Sequence, residues 1–251
     1  MWRSWHFPRL DMAPCLSDAR NLKKPGRDGM PIDKRVDSTA AALEGVSDGA
    51  TVFITGFGGA GFPNKLIRAL RERGPKNLTL VVNSATHRYS LTHELIANDQ
   101  VCKVICTAAR GHDKEPSPFE TRWMANRIEL EMVPQGSFTE RIRAGGAGIP
   151  AFYTPVGFGT ELAAGKEVRR FGDRDFVLEH AITGDLALVR ADIADRTGNL
   201  VFHYAQMNFG PVMATAAKLA VAEVREISDA PLPHGRVQLP GVYVDRVVAV
   251  S

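Results

Sequence analysis

The segment Gly56-Phe57-Gly58-Gly59-Ala60-Gly61-Phe62-Pro63 puts four glycines into six residues. Glycine reaches positive φ at no steric cost, and its missing Cβ lets a ligand approach the backbone closely. The helix that Pro63 opens offers unpaired N–H groups and the positive end of its dipole, which suit a phosphate or a carboxylate. Positions 56, 58 and 61 also fit the G-x-G-x-x-G pattern of dinucleotide-binding turns. Such a site needs an acidic side chain about 20 residues on to hold the ribose. The next strand ends instead in Asn83-Ser84, which leaves an NAD-dependent oxidoreductase without its ribose ligand. A tight strand-to-helix turn that binds nothing is the plain alternative.

A second run, Gly145-Gly146-Ala147-Gly148-Ile149-Pro150, repeats the 58–63 hexapeptide with Ile in place of Phe and continues into Thr154-Pro155-Val156-Gly157-Phe158-Gly159-Thr160. A loop this long in a compact domain is either functional or a crossing connection. No G-x-S-x-G, H-E-x-x-H, G-x-x-x-x-G-K-[ST] or C-x-x-C is present. His87 and His93 have no cysteine or carboxylate at metal-ligand spacing, so no metal site is expected. Cys102 and Cys106 fall on one face of a predicted strand, because strand side chains repeat every second residue; they read as buried thiols.

These residues need elements to position them. Asp37 or Ser38 can cap a helix over 40–43 that ends at Gly45. The β-branched run 51–54 reads as a buried strand. The helix after Pro63 shows Leu66, Ile67 and Leu70 on one face and stops at Gly74-Pro75. Further strands are expected at 78–82, 101–106 and 128–133, and helices at 90–97, 119–126 and 137–143. This alternation predicts βαβ units: one Rossmann-like α/β domain over 32–251, with a largely parallel sheet flanked by helices. The second half is richer in sheet. Segments 166–171 and 176–180 flank Gly172-Asp173-Arg174-Asp175 as a hairpin, further strands follow at 185–190, 199–202, 219–224 and 242–248, and 211–217 can be a helix.

The composition narrows the function classes. The chain has 251 residues, 44% of them hydrophobic, which is ordinary for a globular protein and long enough for one large or two small domains. Residues 1–29 carry six basic and three acidic side chains, whereas the rest balances 25 against 25. The net +3 therefore belongs to the tail, and the body gives no support to nucleic-acid binding. Residues 1–31 read as a flexible N-terminal extension, with Met30 as the natural start of the folded protein. No apolar run reaches the roughly 18–20 residues of a membrane span. Three cysteines cannot make a disulfide scaffold and point to a reducing, cytoplasmic setting.

The run Asp48-Gly49-Ala50-Thr51-Val52-Phe53-Ile54-Thr55-Gly56-Phe57, ending in Gly61-Phe62-Pro63, resembles the signature of family I coenzyme A-transferase A subunits. So do Val133-Pro134-Gln135-Gly136 with Glu140–Gly148, the stretch Thr154–Thr160, the segment Leu178–Asp185, and Gly198-Asn199 with Asn208-Phe209. The similarity runs from about Ile32 to Val250 with its motifs in order, and is to the separate A subunits of 3-oxoacid and 3-oxoadipate CoA-transferases.

The resemblance implies a CoA-transferase half-site. A B subunit, commonly in an α2β2 heterotetramer, supplies a catalytic glutamate in a Ser-Glu-Asn-Gly context, which this chain lacks. Glu44 and Glu161, the carboxylates nearest the glycines, read as helix or surface residues. Coenzyme A is then a substrate, with no permanently bound cofactor, and the other ligands are small carboxylic acids. Asn83 matches the first asparagine of the family's Asn-Asn-Ala-Gly loop and is the expected oxyanion donor. Gln135 is the expected substrate-side donor, and Thr55, Gly56, Phe57, Gly58, Gly59, Ala60 and Gly61 are expected to line the CoA or acyl site.

The chain departs from the family pattern at Thr55 (usually Gly), at Ser84 and Thr86 (usually Asn and Gly), at Gln206-Met207 (usually Ala-Arg), and over 107–118. These departures bear on the acceptor and leave open a CoA-ester hydrolase or an acetate-type transferase. A non-catalytic ligand-binding module, like the effector domains of some repressors, would need a helix-turn-helix for DNA, and the first 36 residues show no helical period for one.

Overall fold

The structure is a computed structural model that describes residues 32–111 and 113–250; the expected N-terminal extension, 1–31, lies outside the described residues. In chain order the elements are α1 (Thr39–Ala42), β1 (Thr51–Ile54), α2 (Asn64–Arg73), β2 (Leu78–Ser84), α3 (Thr92–Ala97), β3 (Val101–Ala108), α4 (Pro118–Met124), β4 (Glu129–Met132) and α5 (Gln135–Gly146). There follow β5 (Ala151–Thr154), β6 (Val168–Phe171), β7 (Arg174–His180), β8 (Gly184–Arg190), β9 (Ile193–Asp195), β10 (Leu200–Val201), α6 (Gly210–Thr215), β11 (Ala217–Val224), β12 (Glu226–Ser228) and β13 (Arg246–Ala249).

The local rules account for the element ends. Ser38 caps α1 by accepting the Ala41 N–H at 3.1 Å. Gly74, at φ 81°, closes α2 with its N–H on Leu70 O. Ser117 and Glu120 cap α4 reciprocally, with Pro118 in the first turn. That S-x-x-E box stands in the sequence and fixes the α4 start.

Seven strands form one sheet in the order β13-β11-β8-β1-β2-β3-β4, and every pairing in it is parallel. Parallel sheets need cover on both faces. Leu66, Ile67 and Leu70 of α2, Leu95 and Ile96 of α3, and Phe119 of α4 pack on one face. Phe138 and Ile142 of α5, and Met213 and Ala214 of α6, pack on the other. In β8, Leu186 and Leu188 enter the first cluster and Ala187 and Val189 the second. Each fully buried side chain of this size contributes about 1.5–3 kcal/mol.

Two small sheets complete the fold, β10-β9-β12 and β5-β7-β6. The hairpin expected around 172–175 is present but tighter, since Phe171 pairs with Arg174 across Gly172-Asp173. The second glycine run is a correction. Gly145 and Gly146 end α5 rather than opening a loop, and 151–154 is strand. A Cβ on Gly145 would lie 2.2 Å from Ile182 O, and one on Gly146 2.6 Å from Thr215 Oγ1. These glycines serve close packing.

The cysteines are a second correction. Leu78 pairs with Val101 but Thr79 pairs with Lys103, a bulge that leaves Cys102 opposite nothing. The bulge flips the strand's alternation. Cys106 is buried and its thiol is pushed up to about 11 by burial, whereas Cys102 is exposed.

Candidate active site

The chain lays β1 at the middle of the sheet and moves outward through β2, β3 and β4, then returns to β1's other side with β8, β11 and β13. In open parallel sheets, ligands settle beyond the carboxyl ends of the strands where the order reverses. Here that point lies between β1 and β8. The glycine segment leaves β1 there, and Arg190 ends β8.

Thr55 is 1% exposed. Its hydroxyl donates to Gly61 O at 2.9 Å and accepts the Arg190 N–H at 3.2 Å. Its side chain thus ties both ends of the loop to β8 from behind. Phe57 and Ala60 exchange backbone hydrogen bonds of 2.9 and 3.0 Å. Gly58 (φ 59°) and Gly59 (φ 93°) are the central residues of this turn, and only residues tolerant of positive φ can fill both places. No acceptor among the described residues takes the Gly58 or Gly59 N–H. Gly56 is fixed for space: a Cβ there would sit 2.2 Å from the Phe62 ring. Phe57 turns inward and meets the Phe209 ring edge-on at 6.1 Å.

The N-terminus of α2 is occupied from within the chain. Glu223, at the end of β11 and 2% exposed, accepts the Leu66 N–H at 2.8 Å and pairs with Arg190 at 3.0 Å. Burial raises the Glu223 pKa, and the amides of α2 and the Arg190 guanidinium offset that rise in part. A carboxylate therefore already holds the place where a Rossmann protein binds pyrophosphate. Together with Asn83-Ser84 at the end of β2, this removes the dinucleotide reading. The ion pair was not legible from the motif, because Glu223 and Arg190 come from strands paired only in the fold.

Asn83 lies half-buried near the carboxyl end of β2. Thr107 Oγ1, on neighbouring β3, lies 2.9 Å from Asn83 O and 3.1 Å from its Oδ1, and donates to them. With Oδ1 engaged, no acceptor among the described residues takes the Nδ2 hydrogens. Asn83 shares its strand face with Val81, which belongs to the α5 side of the core. Gln135 opens α5 after β4 and is exposed. Two strand spacings, roughly 10 Å, separate the β2 and β4 ends. Asn83 and Gln135 thus stand over one face of the sheet at its carboxyl edge.

On the other side of the glycine turn is a cleft of about 300 Å³, lined by Gly58, Gly59 and the 84–89 loop. The glycine motif points to the turn but not to the loop residues Arg88 and Tyr89. Among the described residues, no group of three or more His, Cys, Asp or Glu side chains is placed to hold a metal ion. No helix there is long and apolar enough to cross a membrane.

The profile of the family described as Coenzyme A transferase matches residues 36–250. The chain belongs to the coenzyme A transferase family. It is 43% identical over 221 residues to the A subunit of 3-oxoadipate CoA-transferase from Pseudomonas putida, covering 88% of this chain and 95% of that one. It is 45% identical over 217 residues to the A subunit of succinyl-CoA:3-ketoacid coenzyme A transferase from Xanthomonas campestris pv. campestris strain B100, covering 86% of this chain and 88% of that one. Solved coenzyme A transferases share the fold. An acyl-CoA transferase of Escherichia coli O157:H7 superposes with a TM-score of 0.73 at 22% identity, over 87% of this chain and 47% of that chain, so this chain spans about half of that longer protein. Glutaconate coenzyme A-transferase of Acidaminococcus fermentans superposes with a TM-score of 0.72 at 18% identity, over 86% and 75% of the two chains.

Proposed function

We propose that this chain is the A subunit of a heteromeric CoA-transferase that moves coenzyme A from succinyl-CoA to a 3-oxo acid such as 3-oxoadipate or acetoacetate, within an α2β2 assembly whose other half is a B subunit. The names of its A-subunit relatives support the substrate class. The observation that carries the half-site is the glycine-turn cleft itself: it offers hydrogen-bond donors, and no carboxylate lines it. Glu223, a buried acid that shares a neighbouring cleft with Gly59 and Gly61, is spent on α2 and Arg190. The nucleophile comes from the partner.

The reaction then proceeds by covalent catalysis. The partner's glutamate attacks the thioester carbonyl, giving an acyl-glutamyl anhydride and CoA thiolate. The thiolate attacks the glutamyl carbonyl, giving a glutamyl-CoA thioester and releasing succinate. The acceptor carboxylate repeats the sequence in reverse, leaving as its CoA ester and restoring the glutamate. Every step develops an oxyanion. Asn83 Nδ2 and the free amides of the Gly58-Gly59 turn are fixed donors for it, worth about 3–4 kcal/mol per donor. Gln135 meets the substrate from the α5 side, and the glycine turn admits the thioester close to the backbone.

The test is co-expression with the polypeptide that carries the glutamate and an assay of CoA exchange from succinyl-CoA to 3-oxoadipate and acetoacetate. Exchange by the complex, none by this chain alone, and a glutamyl-CoA thioester trapped on the partner by borohydride are the expected results. Exchange at full rate by this chain alone would overturn the reading. Succinyl-CoA loss that needs no acceptor would make it a hydrolase.

A further inference from the structure

The cleft beside the glycine turn contains a cation without an anion. Arg88 is exposed and rises from the 84–89 loop. Its Nη2 donates to Tyr89 Oη at 2.9 Å, and its guanidinium carbon lies 4.9 Å from the centroid of the Tyr89 ring. No carboxylate among the described residues pairs with it, whereas Arg71, Arg110, Arg122, Arg141 and Arg190 each have one. Tyr89 is itself seated on the turn: a Cβ on Gly59 would lie 3.4 Å from its ring. Asn64 donates to Tyr89 O at 2.9 Å and accepts the Leu91 N–H, which fixes the loop to the start of α2. The guanidinium is thus held over the Gly58-Gly59 turn with most of its donors unused.

The chemistry of the transfer supplies a ligand for it. One end of each acid reacts, at the thioester or its carboxylate. The other end is a carboxylate in succinyl-CoA and 3-oxoadipate but a methyl group in acetoacetate. An arginine fork matches a carboxylate in two parallel hydrogen bonds. The cleft wall adds the Ser84 hydroxyl, the Thr86 hydroxyl being donated to Arg110 O at 3.0 Å, and no acidic side chain lines it.

We propose that Arg88 is a specificity-determining residue that takes the non-reacting carboxylate of dicarboxylate substrates, with the reacting end over the Gly58-Gly59 turn. The proposal rests on the CoA-transferase reading above and adds the acyl-end subsite to it. The phosphates of coenzyme A are the other anionic source for the same cation, and the experiment must separate the two.

Two donors that share the CoA moiety do so. In a ping-pong transfer, kcat/KM for each donor is independent of the acceptor, so the reconstituted complex is assayed with succinyl-CoA and with acetoacetyl-CoA, for wild type, Arg88→Leu and Arg88→Lys. Loss of a hydrogen-bonded charge partner should lower kcat/KM for succinyl-CoA about ten- to a hundredfold in Arg88→Leu, with less than about a threefold change for acetoacetyl-CoA. Arg88→Lys should recover part of the preference. Equal losses for both donors would assign Arg88 to the CoA phosphates or to loop structure, and unchanged values for both would leave it outside the site; either result overturns the proposal. A wild-type complex that moves no CoA from either donor would sink the parent reading, and with it this one. A melting curve of Arg88→Leu that overlays wild type shows that the loop has kept its fold.

Discussion

Thr107 orients Asn83. Its hydroxyl reaches Asn83 Oδ1 across the β2–β3 pair at 3.1 Å, and so decides which end of the carboxamide faces outward. A donor aimed before the substrate arrives costs no reorganisation during the reaction, which is what makes such groups effective. Asn83→Ala should lower kcat in the reconstituted complex about 100-fold, leaving KM for succinyl-CoA within about threefold and the mass of the complex unchanged. Thr107→Val frees the carboxamide to rotate without removing it, so it should cost less than Asn83→Ala, and the double variant should be no worse than Asn83→Ala alone. Additive losses would mean that Thr107 acts by another route.

The Arg190–Glu223 pair governs stability at the same edge of the sheet. Glu223→Leu removes the acceptor of the Leu66 N–H and leaves Arg190 uncompensated, and should cost about 3 kcal/mol. Glu223→Gln keeps an acceptor and should cost less. The pH dependence follows from the raised Glu223 pKa. In Arg190→Met the main charge that offsets burial is gone, so the folded-state pKa climbs further above the unfolded value of about 4.3. A carboxyl raised in this way favours the fold most below its unfolded pKa and loses that contribution as pH rises through its folded value. Urea unfolding of Arg190→Met should therefore show a deficit against wild type that widens as pH rises above the unfolded carboxyl value.

The glycine turn separates space from conformation. Gly56 has both a positive φ of 128° and the Phe62 ring in the way of any Cβ, so Gly56→Ala should lower stability by about 2 kcal/mol. Gly58 has open space around it at φ 59°, and alanine adopts that conformation at a cost of about 1 kcal/mol. Its added methyl stands on the cleft wall. Gly58→Ala should thus raise KM for succinyl-CoA with a small change in Tm, whereas Gly56→Ala should lower Tm first. Thermal melts and steady-state kinetics on the two variants check the contrast.

Much of this arrangement could be read along the chain, because it is encoded by neighbours. The turn glycines, the Leu66-Ile67-Leu70 face, the Gly74 stop and the βαβ rhythm are all local patterns, and a largely parallel sheet follows from them, though not its strand order. What could not be read is what neighbouring strands exchange. Thr107 meets Asn83 only because β3 pairs with β2, and Glu223 reaches α2 only because β11 lies beyond β8. The bulge at Cys102 is a register event between two strands, so alternation within one strand put both cysteines on the same face. Strand β5 and the full length of α5 are hidden from the sequence because Gly145 and Gly146 look like loop residues until Ile182 and Thr215 are seen against them. Arg88 and Tyr89 carry no motif at all; their position over the turn identifies them.

Gly198-Asn199, conspicuous in the sequence, proves to be architectural and makes a further pH prediction. Asp195 has no exposed surface. Its Oδ1 accepts from Thr197 Oγ1 and N–H at 2.7 and 2.9 Å, and its Oδ2 from Asn199 Nδ2 and the Leu232 N–H at 2.8 and 3.0 Å. Asn199 passes the connection on by accepting the Gly241 N–H at 2.8 Å. Burial opposes ionisation here, but these donors, Asn199 first among them, outweigh it and hold the carboxyl down at about 2. An aspartate depressed below its unfolded value of about 3.9 contributes stability that is complete above that value and is lost as pH falls through the folded one. The contribution at neutral pH is on the order of 2 kcal/mol, and it should disappear between about pH 4 and pH 2. Asp195→Asn puts a donating amide against donors, so it should cost a similar amount at pH 7. Its Tm should also fall less steeply than that of wild type as the solution is acidified over this range. If the two melting profiles stay parallel from pH 6 to pH 2, Asp195 is not the group that titrates.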